Sequence, residues 1–290
     1  MLKNLSLFSL VVAVWGSTWF GIKLQGGVVP IELSAGYRFL LAAACLFVIS
    51  AATGRRLRFP PRTHARFAAI GVLQYGVNYI LFYHASEYMV SGLMSVVFAL
   101  SASFNLINAR VFLKRPIRPG IAAAAGVGAL GLCIAFWPDI RRNTANDGML
   151  LGLALSLVGT LSFSLGNTLS AKVQAADVPV MSGAAWSMLY GGAWSTLFAL
   201  SRGAVLQFDW STVYVGSLLY LSIIGSAVGF VAYLTLLGRV GPGRAAFTTL
   251  LFPLVALGFS AALEHYHWNP YLGVGVVIVL LSNATMLRRR

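Results

Sequence analysis

The sequence predicts an all-α integral membrane protein, with ten transmembrane helices arranged as two inverted five-helix repeats. Three observations carry this expectation. Of the 290 residues, 58% are hydrophobic and only 10% charged, whereas soluble domains are roughly a quarter charged. The apolar residues fall into ten runs near the roughly 20 residues that a hydrocarbon core about 30 Å thick requires. A faint internal likeness then returns at an almost constant offset near 150 residues.

The ten runs are separated by Gly, Pro and charge, and they are taken in order. Residues 5–24 are full length and lack a small-residue cleavage site, so they read as a retained helix and not a removed signal peptide. Residues 32–53 follow Pro30, and 66–85 follow the basic "GRRLRFPPRTHAR". Residues 89–112 end before "KRPIR", and 119–137 open on Pro119. Residues 148–171 follow "RRNTAND", 180–201 follow Pro179, and 212–237 follow a polar connection containing Arg202 and Asp209. Residues 244–263 and 270–287 complete the set, the last opening on Pro270 and closing on three arginines. No connection is long enough for a soluble catalytic or binding domain, so function resides within the bundle.

Charge sets the expected orientation. Alternating the connections from the N-terminus gives one side Lys3, Arg55, Arg56, Arg58, Arg62, Arg66, Lys114, Arg115, Arg118, Lys172, Arg239, Arg244, Arg288, Arg289 and Arg290. The other side receives Lys23, Arg141, Arg142 and Arg202, fifteen against four. By the positive-inside rule both termini face the cytoplasm, as expected for a multi-pass protein of a bacterial inner membrane. The net charge of +14 is thereby assigned to anionic headgroups and not to nucleic acid. Cys45 and Cys133 lie within apolar runs and imply no disulfide framework. His265 and His267 sit in a short turn without a third ligand nearby, so no metal site is expected.

The repeat is read from three correspondences. "WFGIKL" matches "TLSAKV" with Lys23 opposite Lys172, and "YGVNYILF" matches "SAVGFVAY" with Asn78 and Tyr79 opposite Gly229 and Phe230. Pro119 matches Pro270. The halves are 1–142 and 143–290. Five crossings are an odd number, so the second copy enters the membrane upside down, an arrangement used by secondary transporters with a midplane site between the halves.

The stretches "WGSTWFGIKL", "YRFLLAA", "YMVSGLMSVVFAL" and "FPLVALGFSAALEHYHW" resemble the paired EamA domains of the drug/metabolite transporter superfamily, bacterial aromatic-amino-acid exporters among them. The resemblance spans nearly the whole chain. It implies a ten-helix exporter of amino acids or other small metabolites, with helices one, three, four, six, eight and nine around a central cavity. One departure stands out: the first-half position matching Pro253 is Ser101, where many relatives carry proline, so the halves are not expected to bend by one device.

Polar side chains in hydrocarbon are costly unless they face helices or water, so their spacing marks the expected path. Gln74 and Asn78 are four apart beside a row of Tyr75, Tyr79 and Tyr83, on one helical face. Phe98, Ser101, Asn105 and Asn108 form a second stripe, Trp15, Trp19 and Lys23 a third, and Thr160, Ser164 and Asn167 a fourth. From these, Trp15, Trp19, Gln74, Tyr75, Asn78, Tyr79, Ser101, Asn105, Thr160 and Ser164 are the candidate substrate-binding residues. Rings supply contact area and amides supply donors and acceptors, which suits a neutral or zwitterionic solute with an apolar side chain. The alternative is that these hydroxyls and amides tie helices together. Tyr83, His84, Trp137, Trp210 and Trp268 are assigned to the interfacial belt, and Gly225 with Gly229 to a close helix contact. Pro253 is the gating candidate, since it removes a helical hydrogen bond in the ninth run.

All seven acids, Glu32, Glu87, Asp139, Asp147, Asp177, Asp209 and Glu264, fall in connections or at span ends. A carboxylate proton relay at the midplane is therefore not expected. Lys23 and Lys172 are expected to snorkel. Arg38 lies deeper, and two readings stay open: pairing with Glu32 or backbone carbonyls, or facing a substrate carboxylate. The function expected is alternating-access export of amino acids, aromatic or otherwise apolar, or related metabolites, without a cofactor. A proton-coupled, broad-specificity metabolite or drug exporter is the alternative. A channel or an intramembrane enzyme ranks behind both, since HExxH, GxSxG and paired midplane aspartates are missing from the sequence. The partners are a small-molecule substrate and the lipid bilayer; nothing in the sequence sets the oligomeric state.

Overall fold

Prolines and side-chain caps start most of the helices in the computed structural model, which describes residues 2–113, 119–138, 148–245, 248–265 and 268–288. Lys114, Arg115, Arg118, Asp139, Arg141, Arg142, Asp147, His267, Arg289, Arg290 and the junction of the two halves lie outside the described residues. Helix α1 is Leu2–Lys23 and α2 is Ile31–Ala52. Helix α3 comprises Pro61–Ile70, a π-helical Gly71–Val77 and Asn78–Ala85. Helix α4 comprises Ser91–Phe98 and Ser101–Leu113, and α5 is Pro119–Ala135. Helices α6 and α7 are Met149–Gln174 and Val180–Ser201. Helix α8 comprises Thr212–Leu219, a π-helical Tyr220–Val228 and Gly229–Ala245. Helices α9 and α10 are Thr248–Leu263 and Pro270–Arg288.

Pro30 and Pro179 stand at the N-caps of α2 and α7. Pro61 occupies the first turn of α3, where a missing N–H leaves nothing unpaired. The Ser211 hydroxyl accepts from the Tyr214 N–H to cap α8, and the Asn269 carboxamide accepts from the Leu272 N–H at the start of α10. The ten helices agree with the ten runs to within a few residues, with one marked difference. Helix α8 continues through Pro242 to Ala245, past the Gly238–Arg239 punctuation that suggested an end near 237. Helical hydrogen bonding there outlasts the apolar stretch.

Among the described residues five segments are long and apolar enough to cross a bilayer: Asn4–Lys23, Ile31–Ala52, Ser91–Phe112, Met149–Gln174 and Thr212–Leu236. Ala123–Ala135, Leu251–Leu263 and Pro270–Ser282 are shorter apolar helices. Helices α3 and α7 are diluted by Ser, Gly, Trp, Tyr and the polar "PRTHAR" turn. Outward-facing Val48, Leu130, Leu197 and Val274 are exposed, as side chains against lipid must be, and Trp137, Trp210 and Trp268 are exposed at helix ends.

The helices pair in a pattern that survives exchanging the halves. Helix α2 packs on α7, α5 on α10 and α4 on α9. Helix α1 packs on α9 and α8, while its counterpart α6 packs on α4 and α3. Helix α3 packs on α7, and α8 on α2. The π segments correspond as well, since Gly71–Val77 shifted by 151 residues falls within Tyr220–Val228. A π segment widens the helix and commonly marks a functional position.

The fourth helix breaks without a proline. Ala99 and Leu100 separate its two parts, and there the Ala99 amide is shared between the Ser95 and Val96 carbonyls while the Leu100 amide tightens to an i−3 bond with Val97. Ser101 opens the next part, while Pro253 sits buried inside an unbroken α9.

Candidate functional site

Six helices surround a chamber at the centre of the bundle. Its lining is Trp15, Thr18, Trp19 and Ile22 from α1, and Asn78, Tyr79 and Phe82 from α3. Phe98 of α4, Phe163 of α6, Phe230 of α8 and Phe252 of α9 complete it. These are the six helices that the superfamily resemblance implies.

Glycines of α8 make room for Thr18 and Trp15. A Cβ on Gly225 would stand 2.6 Å from Thr18 Cγ2, and one on Gly229 would stand 2.7 Å from Trp15 Nε1. Helix α8 thus lies against α1 as closely as backbone permits. The Asn78 carboxamide is fixed from the other side, its Nδ2 donating to the Gly159 carbonyl at 2.8 Å.

The rings form one continuous cluster. Trp15 lies 5.1 Å from Phe230 and 4.8 Å from Tyr233, centroid to centroid. Trp19 meets Phe82 edge-on at 4.9 Å and Phe98 at 5.5 Å, and stacks on Phe252 at 6.1 Å. Phe98 and Phe163 are 4.6 Å apart. Such tilted pairs contribute about 0.5–1.5 kcal/mol each beyond their burial. The cavity they leave is about 30 Å³, room for one or two waters and not for a metabolite. The chamber is contracted.

Of the sequence candidates, Trp15, Trp19, Asn78 and Tyr79 line the chamber. The rest are not part of its lining. Gln74 Oε1 accepts from the Ser170 hydroxyl at 3.1 Å, tying α3 to α6. Tyr75 is buried against Phe39 and Phe230 at 5.1 Å each. The Ser164 hydroxyl donates to Asn105 Oδ1 at 2.7 Å and accepts from Asn108 Nδ2 at 2.8 Å, joining α6 to α4. The Thr160 hydroxyl returns to the Ser156 carbonyl of its own helix. Ser101 is buried with its hydroxyl unpaired among the described residues. Pro253 directly follows Phe252 of the lining.

The phenylalanines, Ile22 and Thr18 were not among the candidates: Phe98 stood on the second stripe without being singled out, and the others read as ordinary apolar or helix-tying residues. Two signals pointed to them. Phe82 is one turn beyond Asn78 on the same face, and Phe230 is the repeat counterpart of Tyr79.

At the end of the bundle where α1 finishes, three polar links close the assembly. Lys23 Nζ pairs with Glu264 at 2.9 Å. Glu264 also accepts from the Ser91 N–H at 3.0 Å and the Ser91 hydroxyl at 2.6 Å, and from the Ser260 hydroxyl. His84 Nε2 lies 3.2 Å from Glu32, and the Tyr83 hydroxyl donates to Gln25 Oε1 at 2.7 Å. Lys23, expected to snorkel, has a nearly buried carboxylate instead, and Tyr83, expected in the belt, is buried. Arg38 is buried, and Glu32 pairs with His84 and not with that arginine. Among the described residues no cluster of three His, Cys, Asp or Glu could hold a metal.

The EamA-like transporter family model matches the chain twice, over residues 2–137 and 150–288. The chain belongs to the EamA-like transporter family. This member is 30% identical to a "Probable amino-acid metabolite efflux pump" of Salmonella typhimurium, over 90% of this chain and 87% of that protein. It is 27% identical to the "Uncharacterized inner membrane transporter YedA" of Escherichia coli K12, over 97% and 90%. Against the "Uncharacterized transporter YoaV" of Bacillus subtilis the identity is 22%, over 97% and 96%. A solved crystal structure of another protein superposes with a TM-score of 0.70 at 15% identity, covering 100% of this chain and 99% of that one. That likeness concerns the fold. The EamA family membership makes this chain a membrane transporter.

Proposed function

We propose that this EamA protein exports amino acids with apolar or aromatic side chains, or closely related metabolites, by alternating access across a bacterial inner membrane. The aromatic chamber between the helices of both family matches carries this reading. Its walls are eight aromatic rings with one carboxamide and one threonine hydroxyl, a surface that wets an apolar side chain and offers few, directed polar contacts. The relative named as a probable amino-acid metabolite efflux pump supports the same class.

The two halves, 1–142 and 143–290, are taken to be inverted repeats that rock about the chamber with both termini cytoplasmic. The Lys23–Glu264, His84–Glu32 and Tyr83–Gln25 links then form the external gate, closed here. Trp15, Trp19, Asn78 and Tyr79 contact solute. Gln74, Tyr75, Ser101, Asn105, Thr160 and Ser164 border its path as the halves move, and Pro253 lets α9 bend.

The test is counterflow of labelled L-amino acids in vesicles reconstituted with the purified protein, with and without an imposed pH gradient. Saturable exchange is expected without the gradient. Exchange of no amino acid would overturn the reading. Accumulation that strictly requires the gradient would favour proton-coupled export instead, a second reading supported by one observation: Glu264, a nearly buried carboxylate, joins three helices at the gate.

A further inference from the structure

Arg38 is the largest fully buried side chain among the described residues, 1% exposed, and none of their carboxylates pairs with it. The ion pairs among the described residues join Lys23 to Glu264 and His84 to Glu32 and Glu87. The nearest acid along its own helix is thus already engaged. Nε donates to the Ser226 hydroxyl at 2.9 Å in the π segment of α8, and the Tyr83 hydroxyl also interacts with the guanidinium. Among the described residues Nη1 has no partner. Further compensation is aromatic, with Cζ 4.6 Å from the Tyr79 ring centroid and 5.3 Å from that of Phe39. A cation so placed is under-compensated, and buried arginines in membrane helices generally mark substrate or ion paths.

Its position relative to the chamber is equally specific. Tyr79 lines the chamber and lies under the guanidinium. Thr18, another lining residue, touches the same Gly225 backbone that Nη2 approaches, with 2.6 Å and 3.5 Å to a Cβ built there. Arg38 therefore stands directly behind a wall made of Tyr79 and Thr18. A second buried donor, the Trp15 indole N–H, is unpartnered among the described residues and belongs to the chamber lining one helical turn along α8, at Gly229. Among the described residues, two donors without acceptors thus flank one contracted chamber.

We propose that Arg38 is the carboxylate anchor of the transported solute, screened in this contracted state by Tyr79 and reached when that ring turns aside as the chamber opens. This rests on the export reading above and narrows it to solutes carrying a free carboxylate beside an apolar body. The guanidinium offers a planar fork matched to a carboxylate, and the Trp15 N–H offers a further donor. Asn78, its Nδ2 taken by Gly159, has its amide oxygen left for a solute ammonium. The phenylalanines receive the side chain.

The test measures binding to the purified full-length protein of each proteinogenic L-amino acid and of its carboxamide, by thermal shift and then by counterflow in vesicles. At least one acid is expected to bind about tenfold or more tightly than its amide, the difference made by one charge-assisted contact. In Arg38→Gln the acid should fall to the level of its amide, and Arg38→Lys, which keeps the charge and loses the fork, should retain a reduced preference. Equal binding of acid and amide by the wild type would overturn this inference and leave amino-acid export standing, with no variant needed. An undiminished preference in folded Arg38→Gln would do the same. Binding of no panel member would overturn the export reading and this one together.

Discussion

Lys23 at the end of α1 and Glu264 just past the end of α9 form an ion pair of 2.9 Å, and the same carboxylate caps the first turn of α4 through the Ser91 N–H. One carboxylate thus fastens three of the six chamber helices at the proposed external gate.

Burial raises the Glu264 pKa, but hydrogen bonds from Ser260 and Ser91 and the Lys23 ammonium outweigh it and hold the group below its ordinary 4.5. A depressed carboxylate contributes stability above its unfolded pKa, and that contribution is lost as pH falls through the folded value. Thermal stability in detergent should therefore drop on acidification below about pH 4.5. Glu264→Gln should flatten that acid limb and cost roughly 1–2 kcal/mol near pH 7. A limb unchanged in the variant would assign acid sensitivity elsewhere.

Tyr79→Ala should reduce counterflow about tenfold or more, whereas Tyr79→Phe, keeping the ring over Arg38, should stay within a few-fold of wild type. Asn78→Ala loses the bond to the Gly159 carbonyl as well as a chamber group. It should lower stability by about 1 kcal/mol and also transport. Wild-type exchange in both alanine variants at equal expression would remove α3 from the solute path.

Gly229→Ala places a methyl 2.7 Å from Trp15 Nε1, so the indole or the helix must shift. Overpacking of this kind costs about 1–3 kcal/mol, and transport should fall with it. Gly258→Ala meets nothing within 4 Å and should be silent in both thermal-shift and counterflow measurements.

Pro253→Ala restores a hydrogen-bond donor inside α9. Slower turnover with unchanged apparent affinity is expected if bending of α9 is a transport step. Unchanged turnover would reduce Pro253 to a packing role.

The ten crossings were legible because hydrocarbon leaves a one-dimensional trace, namely runs near 20 apolar residues broken by Gly, Pro and charge. Trp15, Trp19, Asn78 and Tyr79 were legible because such residues deep in an apolar run are unusual. Phe98 was placed on a polar stripe, but Phe82, Phe163, Phe230 and Phe252 were not legible, since a phenylalanine facing a chamber and one facing lipid look alike in sequence. The roles of Ser164 and Asn105 were equally hidden. A polar group in hydrocarbon is satisfied by a neighbouring helix as well as by a solute, and only the partner's position distinguishes the two.

By itself the sequence determined composition, span count and the spacing of polar faces, because each follows from the solvent that a segment occupies. Which of those faces meet was decided by tertiary packing. Glu32 lies six residues before Arg38, on the same helix, yet it pairs with His84 of another. The arginine instead reaches Ser226, 188 positions away, because Gly225 lets α8 come close enough to receive it.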